Sequence, residues 1–166
     1  LLFLSEPTDK VALSTHGDPN YWGFTQYTAL KEILENFEKF ECSNISIRLH
    51  PSEKQNSYLP VLKKFPHIRS EVYPSSFIPL EKDLMRSKLI IGFDSMALYT
   101  AALLQKPVIS YLPSKNREFL LPLPGSHQLR DLDHLSPRHL QAFSLKLESD
   151  GMNFAGIEQL IRGFKK

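Results

Sequence analysis

Apolar residues come in short blocks separated by polar punctuation. Residues 1–4, Leu1-Leu2-Phe3-Leu4, are continuously apolar and read as a strand buried on both faces. Ser5-Glu6-Pro7 closes that strand, and the Gly- and Pro-containing stretch 8–23 reads as a long loop. Over 25–40 the period lengthens: Tyr27, Leu30, Ile33, Leu34, Phe37 and Phe40 recur every three or four positions. Lys31, Glu32, Glu35, Glu38 and Lys39 fill the other side, the pattern of an amphipathic helix. Strands are predicted over 44–49, 68–73, 88–92 and 107–111. Helices are predicted over 57–65, 80–86 and 95–104. Beyond 112 the signal thins: 120–125 reads as irregular, and helices are predicted over 137–147 and 154–164.

Strand and helix thus alternate from residue 1 to residue 111. That order argues for an α/β fold, a Rossmann-like parallel sheet flanked by helices, with 1–166 as a single domain. An apolar strand at the very start is expected to lie inside a sheet. The chain is therefore expected to be a piece of a longer, two-domain protein.

Composition narrows the chemistry. The apolar runs fall far short of the roughly 20 residues that cross a bilayer. A single cysteine, Cys42, forms no internal disulfide and favours a reducing, cytoplasmic compartment. Twenty basic against eighteen acidic residues leave a net charge of +2, which does not point to nucleic acid. The six histidines show no paired metal-ligand spacing, so no metal is expected.

On a parallel sheet, ligands lie beyond the carboxyl ends of the strands, and anions favour helix N-termini. Two such exits stand out. Arg48 and His50 are two apart and share a face if the strand runs on to His50, a pair suited to a phosphate. The histidine there is also placed to protonate a departing phosphate oxygen. The plainer reading is a capping His beside Pro51, with Arg48 in a surface salt bridge. At the second exit, Gly92-Phe93-Asp94-Ser95 leads from a strand into a helix, where Asp94 or Ser95 caps the helix and faces a ligand.

The order Ile47-Arg48-Leu49-His50-Pro51, Val72-Tyr73-Pro74, Ile91-Gly92-Phe93-Asp94-Ser95 and Lys106-Pro107-Val108 resembles the C-terminal half of a GT-B glycosyltransferase. It is most similar to bacterial sialyltransferases and polysialyltransferases, and to capsule or lipopolysaccharide glycosyltransferases. The resemblance implies a nucleotide-sugar donor, CMP-linked by preference, with no cofactor. His50 is then the catalytic residue, Pro51 completes a His-Pro motif, and Ser95 belongs to a serine motif. Asp94 stands where the family has a second serine, which leaves the donor open. Tyr73 and Pro74 would lie along the base, and Glu6 and Glu53 would reach sugar or ribose hydroxyls. The implied partners are a glycan acceptor and an N-terminal GT-B domain, without which this half would bind donor but not transfer sugar. Peripheral contact with the inner face of a bacterial membrane is also implied. Two alternatives stay open: half of an epimerase similar to UDP-N-acetylglucosamine 2-epimerases, or a non-catalytic Rossmann-like interaction domain.

Overall fold

The computed structural model describes residues 1–141. Six strands form one parallel sheet: β1 (Leu2–Leu4), β2 (Asn44–Arg48), β3 (Arg69–Tyr73), β4 (Ile90–Gly92), β5 (Val108–Tyr111) and β6 (Gln128–Leu129). Their order across the sheet is β3-β2-β1-β4-β5-β6. The chain winds outward from β1 to β3, then returns to the other flank of β1 and winds outward again. The fold is α/β and Rossmann-like, with its change of direction between β1 and β4.

Period-two alternation on the strands feeds two cores. Phe3, Ile45, Ile47, Ile91 and Ile109 pack on one face against Leu30, Ile33 and Leu34 of helix α2 (Gln26–Glu35). Each such side chain contributes about 1.5–3 kcal/mol when buried. Leu2, Leu4, Ile90 and Val108 face the other way. They meet Leu84 of α4 (Leu80–Arg86) and Leu98, Ala101 and Ala102 of α5 (Met96–Leu103). Small alanines let α5 lie close on the sheet.

The segment expected to be a loop is partly helical: α1 spans Thr8–His16. It buries only Thr8 and Ala12, so it has no apolar stripe for periodicity to detect. Its limits are nonetheless written in Pro7 at the start and in Gly17, which ends it at φ 76°. The helix expected over 25–40 stops at Glu35, and Phe37–Phe40 tightens into a 3-10 turn. The helix expected over 57–65 shortens to the 3-10 turn Gln55–Tyr58 and α3 (Leu59–Leu62). Strand β6 was not foreseen, since two residues carry no period. Of the predicted 137–147 helix, Pro137–Leu140 forms a 3-10 turn that ends at Gln141; residues 142–147 and the helix over 154–164 lie outside the described residues. Among the described residues no helix is long and apolar enough to cross a membrane.

Arg48 has a structural post. Its Nη1 donates to Asp83 at 3.0 Å and to the Ile78 carbonyl at 2.7 Å, while Nη2 donates to the Ser75 carbonyl at 2.7 Å. Asp83, on α4, is fully buried and also accepts from the Tyr73 hydroxyl and from Arg86. The cluster bolts the turn after β3 to α4.

Two outcomes follow from the packing. Asp83→Ala leaves Arg48 buried without its counter-charge and is expected to cost about 3–5 kcal/mol in denaturant unfolding; a loss under about 1 kcal/mol would mean that the carbonyls alone suffice for Arg48. At Gly92, opposite Leu4, an added Cβ meets the Leu4 carbonyl oxygen at 3.0 Å. Because that neighbour is backbone, Gly92→Ala is expected to destabilise by about 1–3 kcal/mol, and an unchanged midpoint would show that β1 yields.

Candidate functional site

The carboxyl ends of β1 and β4 open on a cleft of about 500 Å³, lined by Glu6, Thr8, His50, Asp94, Ser95, Met96 and Arg117 among others. It lies at the change of winding direction, the position where such sheets take ligands. Of the residues singled out in the sequence, Glu6, His50, Asp94 and Ser95 meet here. Arg48, Pro51, Glu53, Tyr73 and Pro74 do not line it. Arg48 points to α4 instead, because β2 ends at Arg48 and the chain turns before an Arg48–His50 face forms. Tyr73 is buried with its hydroxyl on Asp83; burial, then that carboxylate, pushes its phenol up to about 12. Pro74 is exposed in the turn after β3, and Pro51 is exposed beside His50.

His50 is exposed and its orientation is set locally. Its Nδ1 accepts the Ser52 N–H at 3.2 Å and lies 2.9 Å from the Ser52 hydroxyl. Acceptance at Nδ1 puts the proton of the neutral ring on Nε2, which has no partner among the described residues. Glu53 braces this turn from behind. Its Oε2 accepts the His50 N–H at 3.0 Å, while Oε1 accepts from Ser5 at 3.1 Å and from Tyr58 at 2.5 Å. Glu53 therefore ties the exits of β1 and β2 together. Burial, then the Glu53 charge, drives the Tyr58 phenol far above its ordinary value, so it stays a donor.

Two helices begin at the cleft, and they differ. At α1 the free amides are already used: Asp9 N–H donates to Gln26 Oε1 and Lys10 N–H to Asp9 Oδ1. Gln26, fully buried at the start of α2, also takes the Thr8 hydroxyl at 2.8 Å and donates to Asp9 at 2.7 Å. At α5 the Ser95 hydroxyl accepts only the Leu98 N–H, at 3.2 Å. The Met96 and Ala97 amides have no acceptor among the described residues, and both residues line the cleft. One helix end is self-satisfied and the other faces the cavity. Asp94 does not compete for those amides, since its oxygens accept from Ser110 at 2.8 Å and from the Leu120 N–H at 2.5 Å.

Arg117, which no sequence motif marked, enters the cleft from the loop after β5. Its guanidinium sits 4.7 Å from the centre of the Trp22 ring and donates to Glu6 at a long 3.4 Å. Arg130 organises that loop by donating to the carbonyls of Leu112, Ser114 and Arg117 while stacking 4.2 Å over Phe119. The polar signal in the sequence was there, in a cation a few residues past a strand exit, but its reach depends on Arg130 far along the chain. Glu6 Oε1 and Arg117 Nη1 are both buried without a hydrogen-bond partner. Such groups cost about 1–3 kcal/mol each. Burial, first, and the Asp94 charge hold the Glu6 carboxyl above its ordinary range, against the downward pull of Arg117 and the Ser95 hydroxyl. No group of three or more His, Cys, Asp or Glu side chains arranged for a metal occurs among the described residues.

A raised carboxyl pKa means that ionising Glu6 costs the folded state more than the unfolded chain. That cost is absent below the ordinary value of 4.5, grows as pH rises from there through the raised one, and is constant above it. Glu6→Gln, which mimics the protonated form, is therefore expected to melt higher than wild type near about pH 8, with the gap closing toward about pH 4. A variant that melts lower at the alkaline end would show that the Arg117 pairing outweighs burial.

No protein-family model, curated protein or solved structure matches this chain.

Proposed function

We propose that the cleft binds the phosphate of a nucleotide-sugar and that the chain is the donor-binding domain of a glycosyltransferase. The observation that carries this reading is the open N-terminus of α5. Two free amides and the Ser95 hydroxyl line a cavity of about 500 Å³ that His50 shares. Fixed dipoles of this kind stabilise charge that develops on a leaving phosphate, without reorganisation during the reaction. His50 adds an Nε2–H donor with no internal partner, suited to hydrogen-bond the phosphate oxygen and stabilise its charge as the sugar leaves.

The reaction is displacement of a nucleotide phosphate by an acceptor hydroxyl. The bond between the donor's anomeric carbon and the phosphate oxygen breaks, the acceptor oxygen bonds to that carbon, the nucleotide leaves with the electron pair on its phosphate, and the acceptor proton passes to a base. The resemblance noted in the sequence favours a CMP-linked donor and surface polysaccharide synthesis. On this reading Arg48, Glu53 and Tyr73 act by holding the sheet edge in shape.

The test is thermal unfolding of the chain with CMP, CDP, UDP and GDP at millimolar concentration. At about 100-fold excess over Kd, a ligand stabilises by about 2.7 kcal/mol, which is several degrees for a chain of this size. A rise with CMP that His50→Ala abolishes is the expected outcome. Silence from all four nucleotides would favour a non-catalytic interaction domain.

A further inference from the structure

We infer that Glu6 and Arg117 form a second subsite in the cleft, one that takes an uncharged, hydroxyl-bearing sugar face. The inference rests on the nucleotide-sugar reading and names the part of the donor that these residues recognise.

The pair is built as an incomplete one. A carboxylate and a guanidinium placed to satisfy each other meet through two short, parallel hydrogen bonds. Here one contact of 3.4 Å joins Glu6 Oε2 to Arg117 Nη2, while Oε1 and Nη1 stay buried and unpartnered. One empty position is an acceptor and the other a donor. A hydroxyl fills both roles, because it donates through its proton and accepts through its oxygen. Two neighbouring hydroxyls on a sugar ring fill them independently.

Charge decides against an anion at this spot. Glu6 offsets the Arg117 charge, and Asp94 adds a negative charge close enough to act on Glu6. An anion between Glu6 and Arg117 would meet the Glu6 carboxyl directly, whereas the Met96 and Ala97 amides offer donors alone; Ser95, which caps α5 and also acts on the Glu6 carboxyl, stands where the two parts of the cleft adjoin.

The pair is also held from behind. The Trp22 ring lies under the guanidinium, and Arg130 fixes the loop that carries it. A guanidinium so stacked keeps its unpartnered nitrogen in place when the cleft is empty. Trp22 is the chain's single tryptophan, so its fluorescence reports on this subsite without a label.

The experiment compares the full chain with Glu6→Ala and Arg117→Lys, each checked for cooperative unfolding. Affinities for CMP, UDP, CMP-N-acetylneuraminate and UDP-glucose are measured by calorimetry, and Trp22 emission is followed in parallel. The sugar-linked form of at least one nucleotide is expected to bind about tenfold tighter than the nucleotide alone, the worth of one or two hydrogen bonds. Only the sugar-linked form should shift Trp22 emission. In both variants that ratio should fall below about threefold, whereas His50→Ala should weaken both forms and keep the ratio. A ratio that survives in either variant, or no sugar advantage in the wild type, overturns the subsite and leaves nucleotide binding standing. If no nucleotide binds but glucose alone shifts Trp22 emission, and Glu6→Ala abolishes the shift, the nucleotide reading falls and the subsite stands. Silence to every probe overturns both.

Discussion

Where β1 meets β4, Leu4 lies opposite Gly92, and no side chain separates the two backbones. This is the seam at which the sheet changes its direction of winding. Chain leaving β1 there turns into α1, and chain leaving β4 turns into α5, so the two exits diverge and leave a gap between them. The cleft is that gap. Its walls are fixed because β1 is buried along its whole length and pairs on both sides. The polar groups at the edge inherit their positions from that rigid, apolar seam.

A consequence is a division of labour among the polar residues. Those nearest the sheet face are absorbed by structure: Arg48 and Asp83 under the β3 turn, Glu53 between Ser5, Tyr58 and the His50 amide, and Gln26 over the start of α1. All are well satisfied. Those left with spare hydrogen-bonding capacity gather in the cleft: the α5 amides, His50 Nε2, Glu6 Oε1 and Arg117 Nη1. The contrast between satisfied and unsatisfied groups separates scaffold from site more sharply than residue type does.

The sheet was legible because strong apolar blocks in alternation with longer periods admit few arrangements. Leu1 to Leu4 reads as a buried strand and Lys88 to Gly92 as a strand, and β1 and β4 lie in the interior of the sheet. α1 was not legible, because Val11 and Leu13 lie exposed on it and only two small residues face inward. Half of the cleft could be read in the same way: Glu6, His50, Asp94 and Ser95 directly follow strands. Arg48 misled because its type suited a phosphate, while its partner Asp83 lay 35 positions away, on a helix whose packing no local pattern reveals. Arg117 could not be singled out for the converse reason, since a cation past a strand exit is an ordinary loop residue until Trp22 and Arg130 place it.

Arg130 directly follows β6, a strand of two residues held to the sheet through Ser110 and Tyr111. Edge strands this short are the first part of a sheet to fray. When β6 lets go, Arg130 goes with it, the three carbonyls it gathers are released, and the loop bearing Arg117 loses its anchor. The local opening energy of this two-residue edge strand thus sets an upper limit on how long the arginine stays poised in the cleft, 13 residues upstream of Arg130.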